Sequence, residues 1–100
     1  MYRGMLMDDY NDFQEFIVNT ISDVYDVLDH GGNKHGDYMG FMKMQNFKKY
    51  NQERILRHLI EYYENKEYLD DETCRCNLVH VICRCLMEMY RDEKEHRGRI

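Results

Sequence analysis

Apolar residues in the first third of the chain recur at three- and four-residue intervals: Phe13, Phe16, Ile17, Ile21, Val24, Tyr25 and Leu28. That spacing gathers them into one stripe and predicts a first helix, capped by Asp8 or Asp9 and ended by His30-Gly31-Gly32. The stretch Gly31-Gly32-Asn33-Lys34-His35-Gly36-Asp37 loses the periodicity and carries glycines able to take positive φ, so it reads as a loop. Gly40 to Phe47 fits a short helical turn. A second stripe, Ile55, Leu56, Leu59, Ile60 and Tyr63, predicts a second helix that fades near Tyr68. Asp70-Asp71-Glu72 then reads as the cap and acidic start of a third helix, with Leu78, Val81, Ile82, Cys85, Leu86 and Met89 as its main apolar face. Arg91, Lys94, His96 and Arg97 place cations at its end, and Arg91 to Ile100 is expected to fray.

The fold class is therefore all-α, a small helical domain of about three main helices occupying residues 1–100 as one unit. The third helix has a second soft face, Cys76, His80, Cys83 and Met87, nearly opposite the first. A helix with apolar groups on two sides is central or covered by a partner chain, and a homo-oligomer is expected. With 33% charged and 43% hydrophobic residues the chain is globular rather than disordered. No apolar run approaches the ~20 residues of a membrane span, and Met1 to Asp9 holds too short an apolar stretch for a signal peptide. A cytoplasmic protein without membrane contact is expected, its four cysteines free thiols. A net charge of −5 argues against nucleic acid as a partner, because binding to phosphate backbones draws on a basic face.

At about 100° per residue, Asn77, His80, Arg84 and Glu88 share one flank of the third helix. Arg54 and His58 share a flank of the second helix, with Arg57 turned further outward. Guanidinium and imidazole suit phosphate oxygens, the first by its bidentate fork and the second by a donor tunable near neutral pH. Lys34 and His35 in the glycine-containing segment add a third side, so the polar residues suit a phosphorylated small molecule. Cys74-Arg75-Cys76 and Cys83-Arg84-Cys85 invite a zinc reading with His80 between them. Residues two apart on a helix point about 200° apart, only Cys76, His80 and Cys83 share a face, and zinc is set aside. Eight methionines and nine tyrosines would also suit a protein-interaction module.

The succession Lys34-His35-Gly36-Asp37, Ile55-Leu56-Arg57-His58-Leu59, Asp70-Asp71-Glu72-Thr73 and Asn77-Leu78-Val79-His80-Val81 resembles the phage-type dATP/dGTP diphosphohydrolase N-terminal family. The likeness covers about residues 34–89. It implies an all-α nucleotide-processing fold, loosely similar to MazG-like pyrophosphohydrolases that hold Mg²⁺ around a triphosphate with helix-borne carboxylates. Lys34, Arg57, His58, Asp70, Glu72 and His80 match the family pattern. Asn77 stands where the family shows a histidine, Cys74 where it shows glycine and His35 where it shows tyrosine, and the tryptophan after the lysine segment is absent.

On that resemblance Asp70 and Glu72, with Glu61 or Glu64, would hold Mg²⁺; Lys34 and Arg57 would neutralise phosphate, and His58 or His80 would orient water. Arg54, His35, Asn77 and Arg84 complete the expected ligand-binding set. Because an amide in place of imidazole cannot transfer a proton, an alternative is a non-catalytic protein that sequesters a nucleotide immune signal, an anti-defence role.

Overall fold

The computed structural model describes residues 2–97. Three helices dominate: α1 (Tyr2–His35), α2 (Phe47–Tyr63) and α3 (Asn77–His96), with a 3-10 turn at Gly40–Met42 and one isolated antiparallel bridge, Leu69 with Cys76. The all-α class stands. None of the described helices is long and apolar enough to cross a membrane.

The helix ends differ from the sequence expectation at both ends of α1 and both ends of α3. α1 runs through Asp8 and Asp9, which are therefore not caps, and continues through Gly31 and Gly32 to His35. Each mid-helix glycine costs only about 1 kcal/mol, which a helix this long and partly packed absorbs. Gly32 is also required sterically, since a Cβ there would collide with the ring of Tyr38. The stop comes at Gly36, whose φ of 70° is the left-handed conformation that ends many helices. The expected loop thus shrinks to the few residues after His35.

α3 starts at Asn77, not at Asp70. Asp70 does cap, but only its own turn: Oδ1 accepts the N–H groups of Glu72 and Thr73. Helix growth stops because Cys74 takes a left-handed φ of 57°. The chain then doubles back through Asp70 N–H to Arg75 O and Asn77 N–H to Tyr68 O, each 2.8 Å. A left-handed conformation strains any side chain with a Cβ, and Cys74 is the position where the resemblance drawn from the sequence implies glycine. Cys74→Gly, at an exposed position, is expected to raise unfolding free energy by about 1 kcal/mol, read as a higher urea midpoint at unchanged slope. At the other end, α3 stays helical through His96 where fraying was expected. Arg91 anchors it, donating from Nη1 to the carbonyls of Phe41 and Met44 and lying over the Phe47 ring.

α3 packs against both other helices, although the main apolar face expected for it stays exposed. Toward α1 the contact is apolar: Val24, Val27 and Leu28 meet Cys76, Val79 and Cys83. Toward α2 it is mainly polar: Asn51, His58 and Asn77 are buried there, with Phe47 buried at the start of α2 beneath Arg91. Asn51 Nδ2 donates to Arg84 O and Glu88 Oε1, which fixes the helix register. The stripes read as core are largely outside: Phe13, Phe16, Ile17, Ile21 and Tyr25 on α1, Leu56, Ile60 and Tyr63 on α2, and Ile82, Leu86 and Met89 on α3 are all exposed. The radius of gyration is 16.3 Å, against about 13 Å for a compact domain of this length, because α1 extends beyond the other two helices.

Candidate functional site

Between the C-terminal third of α1, the inner flank of α2, the Asp70–Thr73 turn and the polar flank of α3 lies a cleft of about 500 Å³. Lys34, His35, Arg54, His58, Asp70, Glu72, His80 and Arg84 all line it. Two of the expected ligand-binding residues do not, nor do Glu61 and Glu64. Arg57 is exposed and paired with Glu61 along α2, as its outward position on the wheel suggested. Asn77 is fully buried behind the cleft.

The position of Asn77 gives it a holding role. Its Nδ2 donates to Glu67 O at 2.8 Å, so its Oδ1 is the acceptor for His58 Nδ1–H, also at 2.8 Å. That fixes the His58 tautomer, with the proton on Nδ1 and a lone pair on Nε2. The His58 ring stacks on His80 at 4.5 Å between centroids. His80 Nε2 shares a 2.7 Å hydrogen bond with Thr73 Oγ1 and lies 3.7 Å from Asp70 Oδ1.

Electrostatics follow from this packing. Burial, then the neighbouring His58, pushes the His80 pKa down from 6.5 to about 4, with Asp70 opposing and Arg84 adding to the shift. His80 is therefore a neutral imidazole at physiological pH. Burial pushes Asp70 upward, but the Thr73 N–H, His80, the Glu72 N–H and His58 outweigh it, and its pKa is lowered.

Between about pH 6.5 and 4 the unfolded chain binds a proton that folded His80 refuses. Stability is complete above that window and falls as pH drops through it. The expected loss is about 2 kcal/mol, below the full conversion of the shift because the ring keeps an edge on cleft water. Asp70 adds a further loss at still lower pH, since its folded pKa is depressed. Urea midpoints taken with a chelator at about pH 7.5 and about pH 4.5 check this, and equal midpoints would exclude it.

On the opposite wall stand two guanidinium groups. Arg54 and Arg84 both lie against the Tyr50 ring, with Cζ 5.9 and 5.6 Å from its centroid. Neither has a carboxylate partner among the described residues, and Arg54 Nε is buried without a hydrogen bond. Burial, and secondarily the Arg54 charge, lower the Arg84 pKa while Tyr50 raises it. Two adjacent, partly buried, uncompensated cations are costly in the free protein and favour an anion. Lys34 Nζ is 2.7 Å from Glu72 Oε1, and His30 Nε2 is 3.1 Å from Glu72 Oε2 in an ion contact that lacks hydrogen-bond alignment.

These pairings bear on the magnesium that the sequence resemblance implies. Mg²⁺ takes oxygen ligands in octahedral geometry. Glu72 Oε1 faces the Lys34 ammonium and Oε2 the His30 imidazole, and Glu61 faces Arg57 outside the cleft. Asp37, also in the lining, is held by the Met39 N–H and Lys43, which leaves Asp70, so the chain's own oxygens do not fit Mg²⁺ as a resident ion. The cysteines make no centre either: all four are free, and Cys83 is buried with its Sγ donating to Val24 O, its thiol pushed up to about 11 by burial.

Sequence reasoning missed His30, Tyr38, Tyr50 and Thr73 in the lining. Tyr50 stands one helical turn before Arg54 and was open to the same wheel argument; Tyr38 and Thr73 sit in irregular chain, where no period predicts direction. No curated protein and no solved structure matches the chain. Residues 8–98 match the family described as dATP/dGTP diphosphohydrolase, N-terminal, a span that takes in all three helices and extends well beyond the 34–89 of the sequence resemblance. With nearly its whole length matched, from Asp8 on α1 past the end of α3, this chain belongs to the dATP/dGTP diphosphohydrolase N-terminal family.

Proposed function

We propose that the cleft binds the phosphates of a purine nucleotide, with the nucleoside triphosphate hydrolysed to monophosphate and pyrophosphate. The observation that carries this reading is the pair Arg54 and Arg84, uncompensated guanidiniums on a polar cleft. Their forks would take phosphate oxygens bidentately, and Lys34 would join when phosphate competes with Glu72 for its ammonium. His58, His80 and Asp70 face this wall and would orient the attacking water. Magnesium enters as part of the substrate, bound to the triphosphate. The test is incubation of the purified chain with deoxy- and ribonucleotides and cyclic dinucleotides, with and without Mg²⁺, followed by chromatography of the solution and of ligand released by heat. Metal-dependent appearance of a purine monophosphate is expected, and the absence of both binding and conversion for every nucleotide would sink the proposal.

A second reading is sequestration without turnover, including of a nucleotide immune signal. The observation favouring it is His80 itself: a base with pKa about 4 takes a proton from water poorly at neutral pH. Recovery of unaltered nucleotide from the denatured protein would select it. Self-association fits either reading. The exposed apolar faces of α1 and α3 adjoin along a groove of about 470 Å³ lined almost wholly by carbon, from Phe13, Phe16 and Ile17 to Ile82 and Leu86. A second copy would cover it with the same surface, the usual arrangement of a two-fold dimer.

A further inference from the structure

His58, Asp70 and His80 each offer one ligand atom, and the three atoms lie within 4.8 Å of one another at one end of the cleft. They come from three separate elements: the middle of α2, the turn after Leu69, and the first turn of α3. Among the described residues no other histidine, cysteine or carboxylate groups converge in this way. We propose that these residues form a three-ligand site for a divalent transition-metal ion of the zinc class, with its remaining position open to the cleft.

The chemistry of the donors selects the ion. Two imidazoles and one carboxylate are borderline ligands that suit Zn²⁺, Fe²⁺ or Mn²⁺, whereas magnesium prefers a full set of oxygens. Ligand atoms about 2.1 Å from one tetrahedral ion stand about 3.4 Å apart. His80 Nε2 and Asp70 Oδ1 stand 3.7 Å apart; to take an ion the His80 ring would give up its hydrogen bond to Thr73 Oγ1 and turn out of its stack on His58. The supporting groups are those a metal site requires. Asn77 holds His58 Nδ1–H, so Nε2 carries the lone pair, and Asn77 is itself anchored on Glu67 O. Asp70 is fixed by two backbone N–H groups through Oδ1. This set shares only His80 with the cysteine-based zinc site considered from the sequence, whose Cys83 is a buried thiol.

Three protein ligands and an open position are the arrangement of catalytic rather than closed structural sites. An ion there would polarise a phosphate oxygen or lower the pKa of bound water, supplying the base that His80 alone does not. Only this last step rests on the nucleotide reading.

The binding test uses the metal alone. The full chain is freed of metal with a chelator, then titrated with Zn²⁺ by calorimetry and with Co²⁺ by visible absorption, with helix content followed by circular dichroism. One equivalent of each ion per chain is expected, with the Co²⁺ bands of nitrogen and oxygen ligation. Asp70→Asn and His80→Gln, each with native helix content, are expected to weaken Zn²⁺ at least 100-fold. Three results would overturn the site: no stoichiometric binding, affinity unchanged in both variants, or the near-ultraviolet charge-transfer band of a Co²⁺–thiolate bond. If the metal site fell on these results, nucleotide binding by the metal-free chain would leave the proposed function standing.

Discussion

Truncating Arg54 and Arg84 together to alanine is expected to abolish nucleotide binding while leaving the free chain at least as stable as before. Each guanidinium that meets a phosphate in a partly buried site contributes about 1.5–3 kcal/mol, so each single substitution should weaken binding by roughly 10- to 100-fold. The stability side follows from like charge. Arg84 is destabilised by burial and by Arg54, and no carboxylate among the described residues offsets either cation. Removing Arg54 relieves that repulsion. A variant that loses ligand but not melting temperature marks residues kept for binding rather than folding. Isothermal titration with the nucleotide found to bind, alongside thermal unfolding of the free protein, reads both quantities. Lysine at either position should fall between, since it keeps the charge but loses the planar fork. A parallel loss of stability would instead place the arginines in the structural frame.

Asn77→Ala should produce the largest stability loss of any polar substitution in the chain. Asn77 is 0% exposed and joins the buried His58 Nδ1 to the Glu67 carbonyl. Leaving the buried His58 donor unpaired costs about 1–3 kcal/mol and losing the bond to Glu67 O about 1 kcal/mol more, so a loss of about 2–4 kcal/mol is expected. Against the 5–15 kcal/mol typical of a domain, that approaches unfolding. The urea midpoint measures it, and a loss under about 1 kcal/mol would mean that water reaches the seam. The variant should also free the His58 ring to rotate, visible as loss of a single imidazole environment by NMR even where the fold survives.

The helical class and the number of helices were legible because apolar residues at three- and four-residue spacing leave few alternatives. The ends were not, and for one common reason: local chemistry was real but outweighed. Gly31 and Gly32 do weaken a helix, yet their penalty is small beside a long helix with packing at its end, and Gly36 rather than they supplies the left-handed stop. Asp70 does cap, but Cys74 turns left-handed four residues on and ends the turn. The wheel placed Arg54, His58, His80 and Arg84 correctly along facing flanks, and all four line the cleft. It could not tell cleft from core, so Asn77, on the same flank as His80, proved to be the support of the site rather than part of its surface. Nor could any periodicity show that the apolar stripes of α1 and α3 lie outward while the α2–α3 seam is built from amides and imidazole.

That inversion has a consequence for how the chain lives at low abundance. Hydrogen bonds between buried amides fix register but add little net free energy, while the side chains that normally drive collapse are left facing outward. Covered by a second copy, the same side chains would make folding and assembly one reaction, with native population rising with total protein rather than fixed by the chain alone. Freshly made chains would then mature only as they accumulate, and dilution would act as a denaturant.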